Sequence, residues 1–459
     1  MLQQKIITIQ CENIDQSIIK DEIRAVLEAM FKRVDPGQAV QKAIQHHQDE
    51  IFIQSAIHTI KAQQRIHIFG LGKAAQTMAA GVKAALAELP CNGALITKHS
   101  NAYLEKYLLP EIHTFVGDHP VPTIRSYNAV KASLQTLGKM QSEDVVICLI
   151  SGGGSSLAIL PREGISVDDY QKVTRSLLEC GATIQEINVI RQRLDQFKGG
   201  GLVKLLSPAN IITLILSDVV GDPLDIIASG PTVAPTSDIM KAEYILKKYA
   251  LVKKIPSSVL KYLFDDEFQE RDTHSLDNIN PDRYIENIMI GNNTSAAQAA
   301  CDTARKLGFT TRIIDNRLQG EASDTGSKLG AFLREEIKKR KNSIDKCCWI
   351  FGGETTVTIH GNGKGGRNQE LALSAAREIA GLSNAGVLSI ATDGEDGPTD
   401  AAGAFVTGET MMKGQQAGLE IETYLKNNDA YPYLEKVGGL IKTGPSGTNV
   451  NDLVILFAY

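Results

Sequence analysis

Residues 147–161 read ICLISGGGSSLAILP. An apolar run with almost no polar alternation stops at Ser151 and gives way to three glycines and two more serines. A strand of that composition is buried on both faces, as in a parallel sheet covered by helices. Gly152, Gly153 and Gly154 lack Cβ atoms, so successive main-chain N–H groups can close on one anion, with Ser151, Ser155 and Ser156 as further donors. A tight strand-to-helix turn is the ordinary alternative. The loop is not G-x-x-x-x-G-K-[ST], so it is no Walker motif and has no lysine of its own.

Working outward, the pattern alternates. RIHIFG (65–70), GALIT (93–97), the end of HTFVGDHP (113–120), DVVICLIS (144–151) and NIITLILS (210–217) read as strands. Helical spacing fills 73–89, 124–140, 167–180 and 183–197. This rhythm implies a mostly parallel sheet with helices on its faces. Residues 15–63 read as helical throughout. From 236 to 280 the chain is helical and then charged and polar, and DDEFQERDTHSLDNINPD marks a boundary or peripheral loop. The rhythm resumes with strands at 284–291, 310–315, 347–353 and 386–394, and LVILFAY (453–459) adds a last one.

A chain of 459 residues is too long for one ordinary core, so two or three domains are expected. A hydrophobic share of 43% and a charged share of 22% are those of a soluble globular protein. The net charge of −5 and the lack of a basic, aromatic-rich patch argue against a nucleic-acid partner. KKRK at 338–341 reads as a solvated helix end. The seven cysteines form no C-x-x-C and several lie in apolar runs, which suits reduced thiols and a cytoplasmic location. The first residues carry no signal pattern, and no apolar stretch approaches the ~18 residues that cross a membrane.

Small and polar residues concentrate where strands end: GGGSS, SDVVGDPLDIIASGPT, GGETT and TDGEDGPTDAAGA. In open parallel sheets those ends line the ligand crevice. FGLGKAAQTMA (69–79) satisfies G-x-G-x-x-A through Gly70, Gly72 and Ala75, but the next strand ends in LITKHS, with Lys98 where a dinucleotide fold wants a carboxylate. Lys73 then stands at a helix start, against the helix dipole, a position that a site for anions tolerates. Arg367, in GKGGRNQELAL, is a second cation at a helix start and offers a fork for carboxylate or phosphate, while Asn368 and Glu370 could cap the helix. Asp218 and Asp222, and Asp393, Glu395, Asp396 and Asp400, suit Mg²⁺ or the acceptance of a substrate hydroxyl proton. Turn formation and helix capping are the alternatives for each.

With GLGKAA, GDHPVP, SGGGSS, INVIRQRLDQFKGG, SDVVGDPLDIIASGPT, GGRNQELAL and TDGEDGPTDAAGA in that order over nearly the whole chain, the sequence resembles the class II glycerate kinases, the MOFRL-type glycerate 2-kinases. The resemblance implies a two-domain α/β fold. A larger Rossmann-like N-terminal domain would span 1–280 and a smaller MOFRL-type domain 281–459, with the active site in the cleft between them. It implies transfer of a phosphoryl group from ATP to D-glycerate, giving 2-phosphoglycerate, with Mg²⁺. It places the catalytic lysine on Lys73, the arginine on Arg367, an aspartate on Asp393 and the phosphate loop on Ser151 to Ser156. Many members read R-K-x-L-S-x-x-K-G-G-R where this chain has Arg191-Gln192-Arg193-Leu194-Asp195 and then Lys198-Gly199-Gly200-Gly201. Arg191 and Lys198 remain and are the candidates for the glycerate carboxylate; Asp218 and Asp222 are the candidates for the metal. A homodimer is compatible with this reading. Two rivals stand beside it: an NAD(P)-dependent hydroxypyruvate reductase, and a non-catalytic protein that binds a phosphorylated acid.

Overall fold

The strand that ends in the glycine loop is Val145–Ile150, and all six of its side chains are buried. The fold is that of a computed structural model, which describes residues 7–61, 63–86, 89–99, 111–234, 239–264, 283–340 and 345–459. The described chain divides into two compact units, one running from Pro36 to Ile290, the other made of the residues up to Asp35 together with Gly291–Tyr459.

The first unit is built on β1 (Ile66–Leu71), β2 (Cys91–Thr97), β3 (Ile112–Val116), β4 (Val145–Ile150), β5 (Asn210–Leu216) and β6 (Ile285–Gly291). Their order in the sheet is β3-β2-β1-β4-β5-β6. The pairs β1–β2, β2–β3, β1–β4 and β4–β5 are all parallel, as their unalternating apolar sequences require. This is the doubly wound order of the Rossmann type, and it reverses between β1 and β4. One core layer joins Phe69, Leu71, Val146, Cys148, Ile150, Phe197 and Ile211; each such side chain contributes about 1.5–3 kcal/mol by leaving water.

The helices start where their sequences say. Thr123 caps Ile124–Leu137, Ser166 caps Val167–Glu179, and Thr183 with Glu186 forms a capping box on Ile184–Leu194. The helices Ile239–Lys248 and Ser257–Phe264 pack Ile245, Leu246 and Val259 into the same cluster as Tyr170 and Ile190. That part of 236–280 is therefore core, and the charged stretch 265–282 lies outside the described residues, as does the expected boundary at 280/281.

Residues 15–63 are not helical throughout. After the helices Lys20–Arg33 and Pro36–Ala43 the chain forms three short antiparallel strands, Ile44–His47, Glu50–Ile53 and Ile60–Lys61. Period two explains it: Ile51 and Ile53 are buried while Phe52 between them is exposed, and Gln48 turns the chain with φ 53°.

The second unit has β7 (Thr310–Leu318), β8 (Cys347–Gly353), β9 (Ala385–Ala391), β10 (Gly403–Thr407), β11 (Leu440–Ile441) and β12 (Asp452–Ala458), in the order β7-β8-β12-β9-β10-β11. Only β7–β8 is parallel; β12 enters antiparallel between β8 and β9, and β9–β10 and β10–β11 are antiparallel too. The sheet is mixed rather than a second parallel one. Helix Lys20–Arg33 packs on helix Asn293–Lys306, and Lys346 Nζ reaches Glu22 at 2.8 Å. The first residues thus join this unit, whereas the sequence grouped them with 36–280. All seven cysteines are unpaired. No described helix is long and apolar enough to cross a membrane.

Candidate active site

In the first unit the loops after β1 and β4 meet at the reversal of strand order. Lys73 N–H donates to the Gly152 carbonyl at 3.0 Å, Ala74 N–H to Ser151 Oγ at 3.1 Å, and Ser151 N–H to the Leu71 carbonyl at 2.9 Å. Gly72 has φ 126°, and a side chain there would strike Ser151. Gly153 is left-handed at φ 85°, ahead of a single helical turn, Gly154–Leu157. One turn has little dipole, so an anion at this loop would be held by N–H groups and nearby cations. The serine hydroxyls serve the loop itself. Ser156 Oγ donates to the Pro120 carbonyl at 2.6 Å, and Ser155 Oγ lies 2.8 Å from Ser229 Oγ, which donates to Asn188 Oδ1 at 2.9 Å.

Lys73 is exposed, and its ammonium makes no hydrogen bond or ion pair among the described residues. Its Cε lies 3.4 Å from the point where a Cβ on Gly153 would stand, with His119 Cδ2 3.3 Å from that point. Burial first, then the charges of Lys73, Lys98 and Arg191, push the His119 imidazole down to about 4. A side chain on Gly152 would overlap the Asp218 carboxylate, so that acid stands against the loop. Asp222 sits in a turn closed by its N–H to the Val219 carbonyl, with φ 56°. Among the described residues no group of three or more His, Cys, Asp or Glu is placed to hold a metal.

The two candidates for the substrate carboxylate part company. Arg191 is buried and its Nε has no hydrogen-bond partner among the described residues. Lys198 is wholly buried, its Nζ 2.6 Å from Asp195 Oδ2 and 2.7 Å from the Ala158 carbonyl. Asp195 also accepts from Phe197 N–H at 2.8 Å and Leu160 N–H at 3.1 Å. Lys198 is therefore committed to the protein's own carboxylate, and Asp195, one of the residues that depart from the family pattern, is what commits it.

In the second unit Arg367 opens the helix Arg367–Glu378. Its Nε donates to Asp452 Oδ2 at 2.5 Å and its Nη2 to Asp452 Oδ1 at 2.8 Å, while Nη1 lies 3.2 Å from Glu354 Oε1. The fork that suits an outside anion is filled by Asp452. Asp396 is fully buried and accepts from Asn368 N–H at 3.1 Å, Gln369 N–H at 2.9 Å and Gln369 Nε2 at 3.0 Å. It caps the helix from outside, so Asn368 and Glu370 do not. Burial, then the Asp452 charge, raises Asp396 to about 6. These carboxylates are how a cation is tolerated at this helix start. Asp400 is taken by the Tyr431 hydroxyl at 2.7 Å and Lys442 at 2.9 Å. Asp393 is half-buried, and its Oδ1 accepts from Glu395 N–H at 3.1 Å.

His119, Asn188, Ser229, Glu354 and Asp452 were not singled out from the sequence. GDHPVP carries His119, and Asp452 opens the last apolar strand, so motif and strand-end position were the available signals.

A family model described as "Domain of unknown function (DUF4147)" matches residues 22–264, and the MOFRL family model matches residues 347–452. A glycerate 2-kinase of Pyrococcus horikoshii is 40% identical over 437 residues, covering 94% of this chain and 96% of that protein. A D-glycerate 2-kinase of Thermotoga maritima is 39% identical over 391 residues, covering 85% and 90%. A crystal structure of a Thermotoga maritima glycerate kinase superposes with a TM-score of 0.83 at 36% identity, over 96% of this chain and 99% of that one.

Proposed function

This chain belongs to the glycerate kinase family that carries the DUF4147 and MOFRL domains, and from that membership we infer that it transfers the γ-phosphoryl group of ATP to the 2-hydroxyl of D-glycerate, giving 2-phosphoglycerate and ADP. What supports the reading in the molecule itself is the meeting of Lys73 and the glycine loop at the reversal of strand order, with the charge of Arg191 felt at His119 beside them.

Phosphoryl transfer spreads charge over the equatorial oxygens, so positioning and charge stabilisation do most of the catalysis. The N–H groups of Gly152, Gly153 and Gly154 cradle phosphate oxygens. Lys73, unpaired and exposed, supplies the cation that the loop lacks. The unmet Nε–H of Arg191 receives the glycerate carboxylate. The family resemblance makes Arg367 the candidate for further charge, through Nη1, which Asp452 leaves and Glu354 approaches at 3.2 Å, and Asp393 the candidate for accepting the hydroxyl proton. Magnesium takes one or two carboxylates together with phosphate oxygens, and Asp218, packed against the loop, fits that donor set better than a protein-only cage would. Such an ion supplies charge neutralisation on the phosphates.

The reductase reading loses its ground. The chain after β2 presents Lys98, whose charge reaches His119, where a dinucleotide site needs an acid for the ribose. The purified chain with ATP, Mg²⁺ and D-glycerate should release ADP and yield the 2-phosphate, identified by phosphorus NMR. It should not consume NADPH with hydroxypyruvate. Absence of ADP release with D-glycerate overturns the reading, and binding without turnover would favour the sensor.

A further inference from the structure

His119 follows β3, and its ring stands against Gly153 beside the Lys73 side chain. The charges that act on the imidazole come from separate elements: Lys73 after β1, Lys98 after β2 and Arg191 on the helix Ile184–Leu194. All three are cations. At neutral pH the ring is therefore uncharged, and one of its nitrogens donates. Arg191 is 6% exposed, and its Nε–H has no acceptor among the described residues. Buried guanidinium donors are almost always satisfied, and cations gathered in one place repel. Both conditions are relieved by the same thing, an oxyanion in the crevice.

We propose that His119 is an anion-positioning residue, whose imidazole donates a hydrogen bond to a carboxylate or phosphate group held by Lys73 beside Gly153, with the charges of Lys98 and Arg191 favouring the anion. The identity of the anion rests on the phosphoryl-transfer reading: the carboxylate would be that of D-glycerate and the phosphate that of ATP. An anion there screens the three cations, so its arrival raises the proton affinity of the ring. Binding then tightens as pH falls below neutrality, with proton uptake.

The test uses the full chain with His119→Leu, which removes the donor, and His119→Asn, which keeps one. KM for D-glycerate and for ATP, kcat, and the thermal shift given by inorganic phosphate are measured from about pH 5 to about pH 8. The expected result is a KM for one of the two substrates raised about tenfold in His119→Leu, with the other within about twofold and kcat within about threefold. The affected substrate names the anion. His119→Asn should recover most of the affinity but lose its rise at low pH. The proposal is overturned if both KM values stay within about twofold in His119→Leu, or if the pH dependence persists in both variants. Should the wild type fail to phosphorylate D-glycerate, that reading falls by itself. The phosphate-induced thermal shift, present in wild type and lost in His119→Leu, still decides the role of His119, and a shift equal in both refutes it.

Discussion

The ammonium of Lys198 lies 2.6 Å from the Asp195 carboxylate, and neither side chain reaches solvent. Burial lowers the proton affinity of Lys198 and Asp195 raises it, so the charge of Lys198 depends on its partner. Removing one member of such a pair strands the other in a medium that cannot solvate it. Lys198→Met should lower the unfolding free energy by about 3–5 kcal/mol, and Asp195→Leu with Lys198→Met should restore most of it. Denaturant titration reads the energies. In the double variant, KM for D-glycerate should stay within about threefold of wild type, since the Lys198 ammonium is taken up by Asp195 and the Ala158 carbonyl.

Lys73 predicts the opposite split. It is exposed and makes no ion pair among the described residues, so Lys73→Ala should change stability by less than about 0.5 kcal/mol. Losing a cation that acts on the transferred group should lower kcat about 10²- to 10³-fold. Retention of near-normal turnover in a folded Lys73→Ala enzyme would remove it from the catalytic machinery.

Arg367 and Asp452 form a two-bond fork at a helix start, with Asp452 almost fully buried. Lysine cannot reproduce a fork. Arg367→Lys should therefore lose stability, by about 2 kcal/mol, and activity together. Asp452→Asn should cost a similar amount of stability while leaving the arginine charge in place. Comparing thermal unfolding with kcat across the two variants separates charge supply from scaffolding; equal activity loss in both would assign Arg367 to scaffolding alone.

Asp396 gives the second unit a pH signature. Burial raises its carboxyl from the ordinary 3.8 to about 6. The folded state therefore binds its proton more tightly than the unfolded chain does. The stability so contributed is present in full below about pH 4 and is lost as pH rises through about 6. Asp396→Asn should flatten that fall in urea titrations between about pH 4 and about pH 6.5. An unchanged slope would show that the carboxylate's amide bonds outweigh its burial.

The parallel sheet of the first unit was legible because buried strands such as Val145–Ile150 leave an unbroken apolar trace, and the loop after it because three glycines end the run. The reversal of strand order between β1 and β4, which makes that loop a crevice, is a long-range pairing that no local pattern records. The surroundings of individual side chains were not legible for the same reason. Lys73 and Lys198 each follow a glycine or precede one, and both are lysines near loops. One is exposed and the other sealed against Asp195, a difference settled by packing from distant elements. Likewise Asp396 and Asp400 share a loop with Asp393, but Gln369 and Tyr431, far along the chain, claimed the first two.

The place of β12 has a consequence for the order in which the protein comes into being. It is the last described strand to leave the ribosome, yet it lies in the middle of its sheet, between β8 and β9. Until it arrives, β7–β8 and β9–β10–β11 are separate fragments with unpaired strand edges, the kind of surface that recruits other chains. The first unit, continuous from Pro36 to Ile290, faces no such wait and can close while translation proceeds. The helix Lys20–Arg33 emerges before it but must wait until all of it has been made to find Asn293–Lys306. The vulnerable interval in this protein's synthesis is therefore the one before β12 emerges, and chaperone dependence should concentrate on the second unit.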